Sequence, residues 1–191
     1  MARSKTKARR KHAVKTRAGG NDAITLLKAD HRQVEDWFGQ FEKARAAARK
    51  LELATRICNA LTVHTTIEEE VFYPAFIVTT RDEALHHEAV IEHDAARKLI
   101  ADIRDSSPAD DYYDAKVKVL SEMIKHHVKE EEQPGGMFAE ARKSRMDLRA
   151  LGAEMAARKG ELAAQQVAIP AARRKGSNGS LLTRIIEAGS R

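Results

Sequence analysis

Through the middle of the chain, apolar residues return every three or four positions, which is the period of an amphipathic helix. Ile24, Leu27, His31, Val34, Phe38 and Phe41 fall on one stripe of a first helix, which Asn21 or Asp22 can cap. Ile57, Leu61, His64, Glu68 and Val71 mark a second, ending at Pro74. His86, Ala89, His93, Ala96, Ile100 and Ile103 mark a third, which fades into "SSPADD". Tyr113, Val117, Leu120, Ile124, His127 and Glu131 mark a fourth, broken by "QPGG". A fifth helix is expected around Ser144 to Lys159, packed outside the others. Long helices joined by short connections predict an all-α fold. The expected architecture is an antiparallel up-down-up-down four-helix bundle with the fifth helix appended, over residues 21–159.

The two ends differ from this body. "MARSKTKARRKHAVKTRAGG", residues 1–20, has no apolar period and reads as a disordered basic tail. Residues 160–191 read as linker and tail, with "LLTRIIEA" able to form a short helix. Charge follows the same division. The first 20 residues hold eight Lys/Arg and no acid; residues 156–191 hold seven and two; with +6 overall, the middle carries about −7. Such ends can touch nucleic acid or an anionic surface weakly through counterion release, or simply be solvated; no aromatic is interleaved for base stacking. No apolar run reaches the length of a membrane span, and the basic N-terminus lacks the apolar stretch of a secretory signal. A single cysteine, Cys58, cannot form an internal disulfide. These features set the expectation of a cytoplasmic protein.

The stripes carry an anomaly. Extending them places His31, His64, Glu68, His86, His93, His127 and Glu131 on buried faces. In "HHVKEEE" the stripe selects His127 and Glu131; His126 and Glu130, equally spaced, lie about 100° round the helix. In "HTTIEEE" it selects Glu68, leaving Glu69 and Glu70 to solvent. Residues at one height of an antiparallel hairpin are equidistant from its loop. The midpoints of 31 and 64, of 64 and 93, and of 93 and 127 are 47.5, 78.5 and 110, each near an expected connection. Four histidines from four helices therefore share one level, with His86 two turns, about 10 Å, from His93 and outside it.

A buried unpaired carboxylate costs several kcal/mol, and no Lys or Arg on these stripes neutralises Glu68 or Glu131. A bound cation would. Imidazole with carboxylate and no thiolate suits iron, manganese or zinc, and disfavours calcium. Six donors exceed one tetrahedral zinc site. Two carboxylates able to bridge, with histidines on either side, describe a dinuclear centre.

"DAITLLKADH", "ICNALTVHTTIEEEVFYP", "IEHDAARKLI" and "HHVKEEE" together resemble the hemerythrin-like family of HHE cation-binding proteins across nearly all of residues 22–140. The resemblance implies a non-haem di-iron site inside the bundle, held by His31, His64, Glu68, His93, His127 and Glu131. Two departures stand out. Ala89 and Arg97 occupy the positions where oxygen-carrying members have a second histidine on helix 3. Glu132 stands where they have an aspartate five residues after the helix 4 histidine. One iron is then a ligand short, or a nearby Glu or Tyr completes it. The expected function is binding of oxygen, peroxide or nitric oxide at an open iron position, in sensing or detoxification rather than transport. The rival readings are iron oxidation or storage, and a metal-free helical adaptor acting through the basic tails.

Overall fold

The computed structural model describes residues 22–168. The basic tail 1–20, the Asn21 cap and the segment around Pro170 lie outside the described residues. Seven α-helices follow one another: α1 Ala23–Lys43, α2 Ala47–Ile67, α3 Tyr73–Thr80, α4 Glu83–Arg104, α5 Tyr113–Glu132, α6 Met137–Lys143 and α7 Leu148–Ala168. A π turn, Glu68–Phe72, joins α2 to α3 without a break. Among the described residues no helix is long and apolar enough to cross a membrane.

Local chemistry sets the boundaries. Asp22 caps α1, its carboxylate accepting from the Thr25 N–H at 2.8 Å. The α3–α4 corner places Arg81 in the left-handed region at φ 59°, after which Asp82 caps α4 by accepting from the Leu85 N–H. At "QPGG" the chain turns so tightly that a Cβ at Gly136 would collide with the Glu130 carbonyl oxygen.

α1 packs on α2 and α5, α2 on α4, and α4 on α5, closing a ring of four helices. Two apolar clusters fill it. One joins Val34, Phe38, Leu53, Ile57, Leu61, Ile100, Val117 and Leu120. The other joins Ile24, Leu27, Ile67, Phe72, Phe76, Met137, Phe138 and Met155. The polar level predicted from the stripes lies between them. Cys58 sits in the first cluster, where burial pushes its thiol up to about 11.

Three elements depart from expectation. The second helix does not end at Pro74. The π turn widens the backbone ahead of it, and Pro74 then occupies the first turn of α3, where a missing N–H is tolerated. α6 has no counterpart in the reading; Met137, Phe138 and Ala141 close the second cluster as a short lid. The fifth helix starts at Leu148 and continues past Lys159 to Ala168, packing on α1 and α2.

Candidate metal centre

His31 on α1, His64 on α2, His93 on α4 and His127 on α5 meet at one level, each no more than 5% exposed. They form two facing pairs. His31 Nε2 lies 3.1 Å from His64 Nε2, and His93 Nε2 lies 3.3 Å from His127 Nε2. Glu68, at the head of the π turn, and Glu131, near the end of α5, sit one helical turn from His64 and His127 and join the pairs. Glu68 Oε2 is 3.3 Å from His64 Nε2 and 3.4 Å from His93 Nε2. Glu131 Oε2 is 3.3 Å from His31 Nε2 and 3.6 Å from His127 Nε2. Each carboxylate thus touches one imidazole of each pair. Two overlapping donor groups result: His31, His64, Glu68 and Glu131; and Glu68, His93 and His127, their atoms within 4.8 Å of one another. His86 stays outside this level, its ring edge-on to Tyr73.

The outer nitrogens explain why the inner ones face each other. His31 Nδ1–H points at Glu132 Oε1 (2.8 Å), His93 Nδ1–H at Glu69 Oε1 (2.8 Å) and His127 Nδ1–H at Glu92 Oε2 (2.7 Å). Asp30 Oδ2 stands 3.6 Å from His64 Nδ1. The arrangement is cyclic: α1 supplies a carboxylate to the α2 histidine, the π turn to α4, α4 to α5, and α5 back to α1. Carboxylates at Nδ1 set the neutral tautomer of His31, His93 and His127 with a lone pair on Nε2, while His64 Nδ1 has no hydrogen-bond partner. Lone pairs facing at 3.1 and 3.3 Å repel unless a proton or a metal cation lies between them. Two ligands bound at right angles, each with a metal–nitrogen bond of about 2.1 Å, stand about 3.0 Å apart.

Fixed charges support this outer ring. Glu132 pairs with Arg32 and Lys28, Asp30 with Lys159, and Glu69 with Arg97. Arg97 therefore has a defined role where a second helix 3 histidine was absent: it holds the carboxylate that holds His93. The expectation that Glu69 would be solvated is thus corrected, and Glu132, noted in the sequence only as a departure from the family pattern, serves the outer ring as well. Their chain neighbours Glu68 and Glu131 turn inward, and they reach sideways to the adjacent helix. His126 does remain exposed.

No protein group satisfies the inner carboxylates. All four oxygens of Glu68 and Glu131 are buried without a hydrogen-bond partner. Burial and the nearby charge of Glu131 push the Glu68 carboxyl well above its ordinary range. Burial also pushes Glu131 up, but His127, His31 and His64 outweigh it and hold that carboxyl at about 2. Burial lowers His64, and drives His93 down to about 2 with help from His127 and His64. His127 is lowered by burial but raised further by Glu131 and Glu92, ending above its ordinary value. Displaced groups gather at functional sites and in structural ion-pair networks alike; here orphaned carboxylates facing imidazole nitrogens fit a bound cation.

Tyr73 is the residue that sequence reasoning did not identify by number. Its hydroxyl lies 3.3 Å from His93 Nε2, and the side chain is 1% exposed. The π turn places it there, because the extra residue per turn rotates the following side chains round the helix. "EEEVFYP" contained the signal, a proline that should have ended a helix whose apolar run continues into "AFIV".

The sequence matches the hemerythrin HHE cation binding domain over residues 22–134. A protein of Nostoc sp. named DNA nickase is 26% identical over 107 residues, which is 56% of this chain and 30% of that protein. The chain thus spans less than a third of that relative. The crystal structure of a hemerythrin HHE cation binding domain-containing protein, the Rv2633c homologue from Mycobacterium kansasii, superimposes with a TM-score of 0.64 at 21% identity. That likeness covers 77% of this chain and 90% of the other. Fold, buried donor cluster and sequence agree, and the chain belongs to the hemerythrin HHE cation-binding family.

Proposed function

We propose that the chain is a non-haem di-iron protein that binds oxygen, peroxide or nitric oxide, in sensing or detoxification. The carrying observation is two facing imidazole pairs joined by two buried carboxylates that have no hydrogen-bond partner. In this reading His31 and His64 would hold one iron and His93 and His127 the other, with Glu68 and Glu131 as the carboxylates between them. Tyr73 lies where a further donor to the second iron, absent from helix 3 as histidine, would be needed. Bound iron would supply reversible electron transfer and an open position for a small ligand. The protein's part is to hold and shield. The outer carboxylates fix the imidazole rings, and the two apolar clusters keep bulk water from both ends of the site.

A cavity of about 10 Å³, the room of a single water, adjoins the imidazoles and is walled by Val34, Leu61, Ile124 and Val128. A space of this size beside the imidazoles suits a small ligand of one or two heavy atoms. The test is stopped-flow absorption of the iron-loaded, reduced protein mixed with oxygen, hydrogen peroxide or nitric oxide. A rapid, saturable spectral change with at least one supports the reading; none with all three refutes it.

The basic ends and the relative named DNA nickase favour a second, separable activity, nucleic-acid contact through residues 1–20. Salt-sensitive DNA binding that disappears on deleting those residues supports it. Equal binding by the truncated protein refutes it.

A further inference from the structure

We propose that small anions enter the centre through the groove between α1 and α5, with Ile124 and Val128 as the gate. This rests on the reading of the site as a ligand-binding one. A groove of about 250 Å³ opens between the two helices, lined by His31, Arg32, Glu35, Phe38, Lys125, Lys129 and Glu132 besides the two gate residues. Its inner end meets the small cavity over the imidazoles. His31, Ile124 and Val128 line both spaces, so these three side chains form the partition. His31 is fixed across it, Nδ1 bonded to Glu132 on the groove side and Nε2 facing the donor cluster. The two aliphatic side chains have no such bond, so a shift of their packing is what separates closed from open.

The charge of the mouth selects what enters. The body of the chain is acidic, yet three cations line this groove. Arg32 is committed to Glu132 and Glu35. Lys125 and Lys129, one turn apart on α5, have no carboxylate partner among the described residues. Two unpaired ammonium groups over a low-dielectric groove raise the local concentration of small anions, and steering of this kind changes on-rates by about 10- to 1,000-fold. The chemical class selected is a small, singly charged anion, such as azide, nitrite or hydroperoxide. A neutral gas shares the gate but not the steering.

The experiment measures association rates of azide and of nitric oxide with the iron-loaded full-length protein, at low and high salt. Val128→Trp should slow both at least tenfold, and Val128→Ala should speed both. The double variant Lys125→Glu/Lys129→Glu should slow azide about tenfold at low salt, invert its salt dependence so that added salt speeds it, and leave nitric oxide unchanged. Unchanged rates in both Val128 variants overturn the entrance. Azide unaffected by the charge reversal overturns the selection. A wild-type protein that holds iron but binds neither probe overturns the functional reading itself, a result distinct from either.

Discussion

Glu68→Gln separates what the inner carboxylate does for metal from what it does to the fold. The side chain is fully buried and neither oxygen has a hydrogen-bond partner. Without metal, burial and the nearby charge of Glu131 raise its pKa well above the ordinary 4.5. A buried acceptor left without a hydrogen-bond partner costs about 1–3 kcal/mol. Glutamine escapes this cost, and its amide N–H can donate to the lone pair of His64 or His93. The metal-free variant should therefore melt higher than the metal-free wild type. At about 2–4 °C per kcal/mol, the upper limit is about 6–12 °C. The sign fixes the pH dependence. A raised carboxyl contributes stability that is full below 4.5 and is lost as pH rises through its folded value. The advantage of glutamine is therefore greatest near neutrality and vanishes near pH 4.5. With iron the order should invert, because an amide cannot bridge two cations, and wild type gains about 4 kcal/mol at a thousandfold excess over Kd. Circular dichroism melts of both proteins, with and without iron, decide the matter. A metal-free Glu68→Gln that melts below metal-free wild type would refute the reasoning, since Glu68 would then have a partner in the protein itself.

Glu131→Ala should abolish the iron retained through gel filtration, whereas Glu130→Ala should keep it; the same contrast holds for His127 against His126. Equal retention within either pair, measured by elemental analysis, would contradict the phase of α5. Tyr73→Phe should remove any phenolate-to-iron absorption from the visible spectrum and keep both irons, while an unchanged spectrum would assign Tyr73 to hydrogen bonding alone. Iron loading near pH 6 should release protons, because Glu68 and His127 are both raised and must give them up. Affinity should then fall as pH falls through neutrality, whereas His93, already near 2, contributes nothing there. Calorimetry in buffers of different ionisation enthalpy measures this, and proton-independent binding would contradict it.

Much of this was legible in the chain. Apolar period alone placed His31, His64, Glu68, His93, His127 and Glu131 on inward faces, because a helix of fixed pitch leaves no freedom in which face a residue takes. The midpoint argument brought the four histidines to one level even though the connections lie at 44–46, 81–82 and 105–112. The outer ring was hidden because period assigns a residue to a face and says nothing about sideways reach. Asp30, Glu69, Glu92 and Glu132 each adjoin an inner donor in sequence, yet each serves the histidine of another helix. Tyr73 was hidden for a different reason. The π turn breaks the regular pitch on which every assignment of face depended, and only Pro74 inside a continuing apolar run betrayed it.

The central claim is that one chain holds two irons between the imidazole pairs. Native mass spectrometry of protein reconstituted anaerobically with ferrous iron, then passed through gel filtration, measures it directly. The account predicts a dominant species carrying two iron atoms in wild type, and its loss in Glu68→Gln. A single bound ion, or none, in the folded wild-type protein would contradict it.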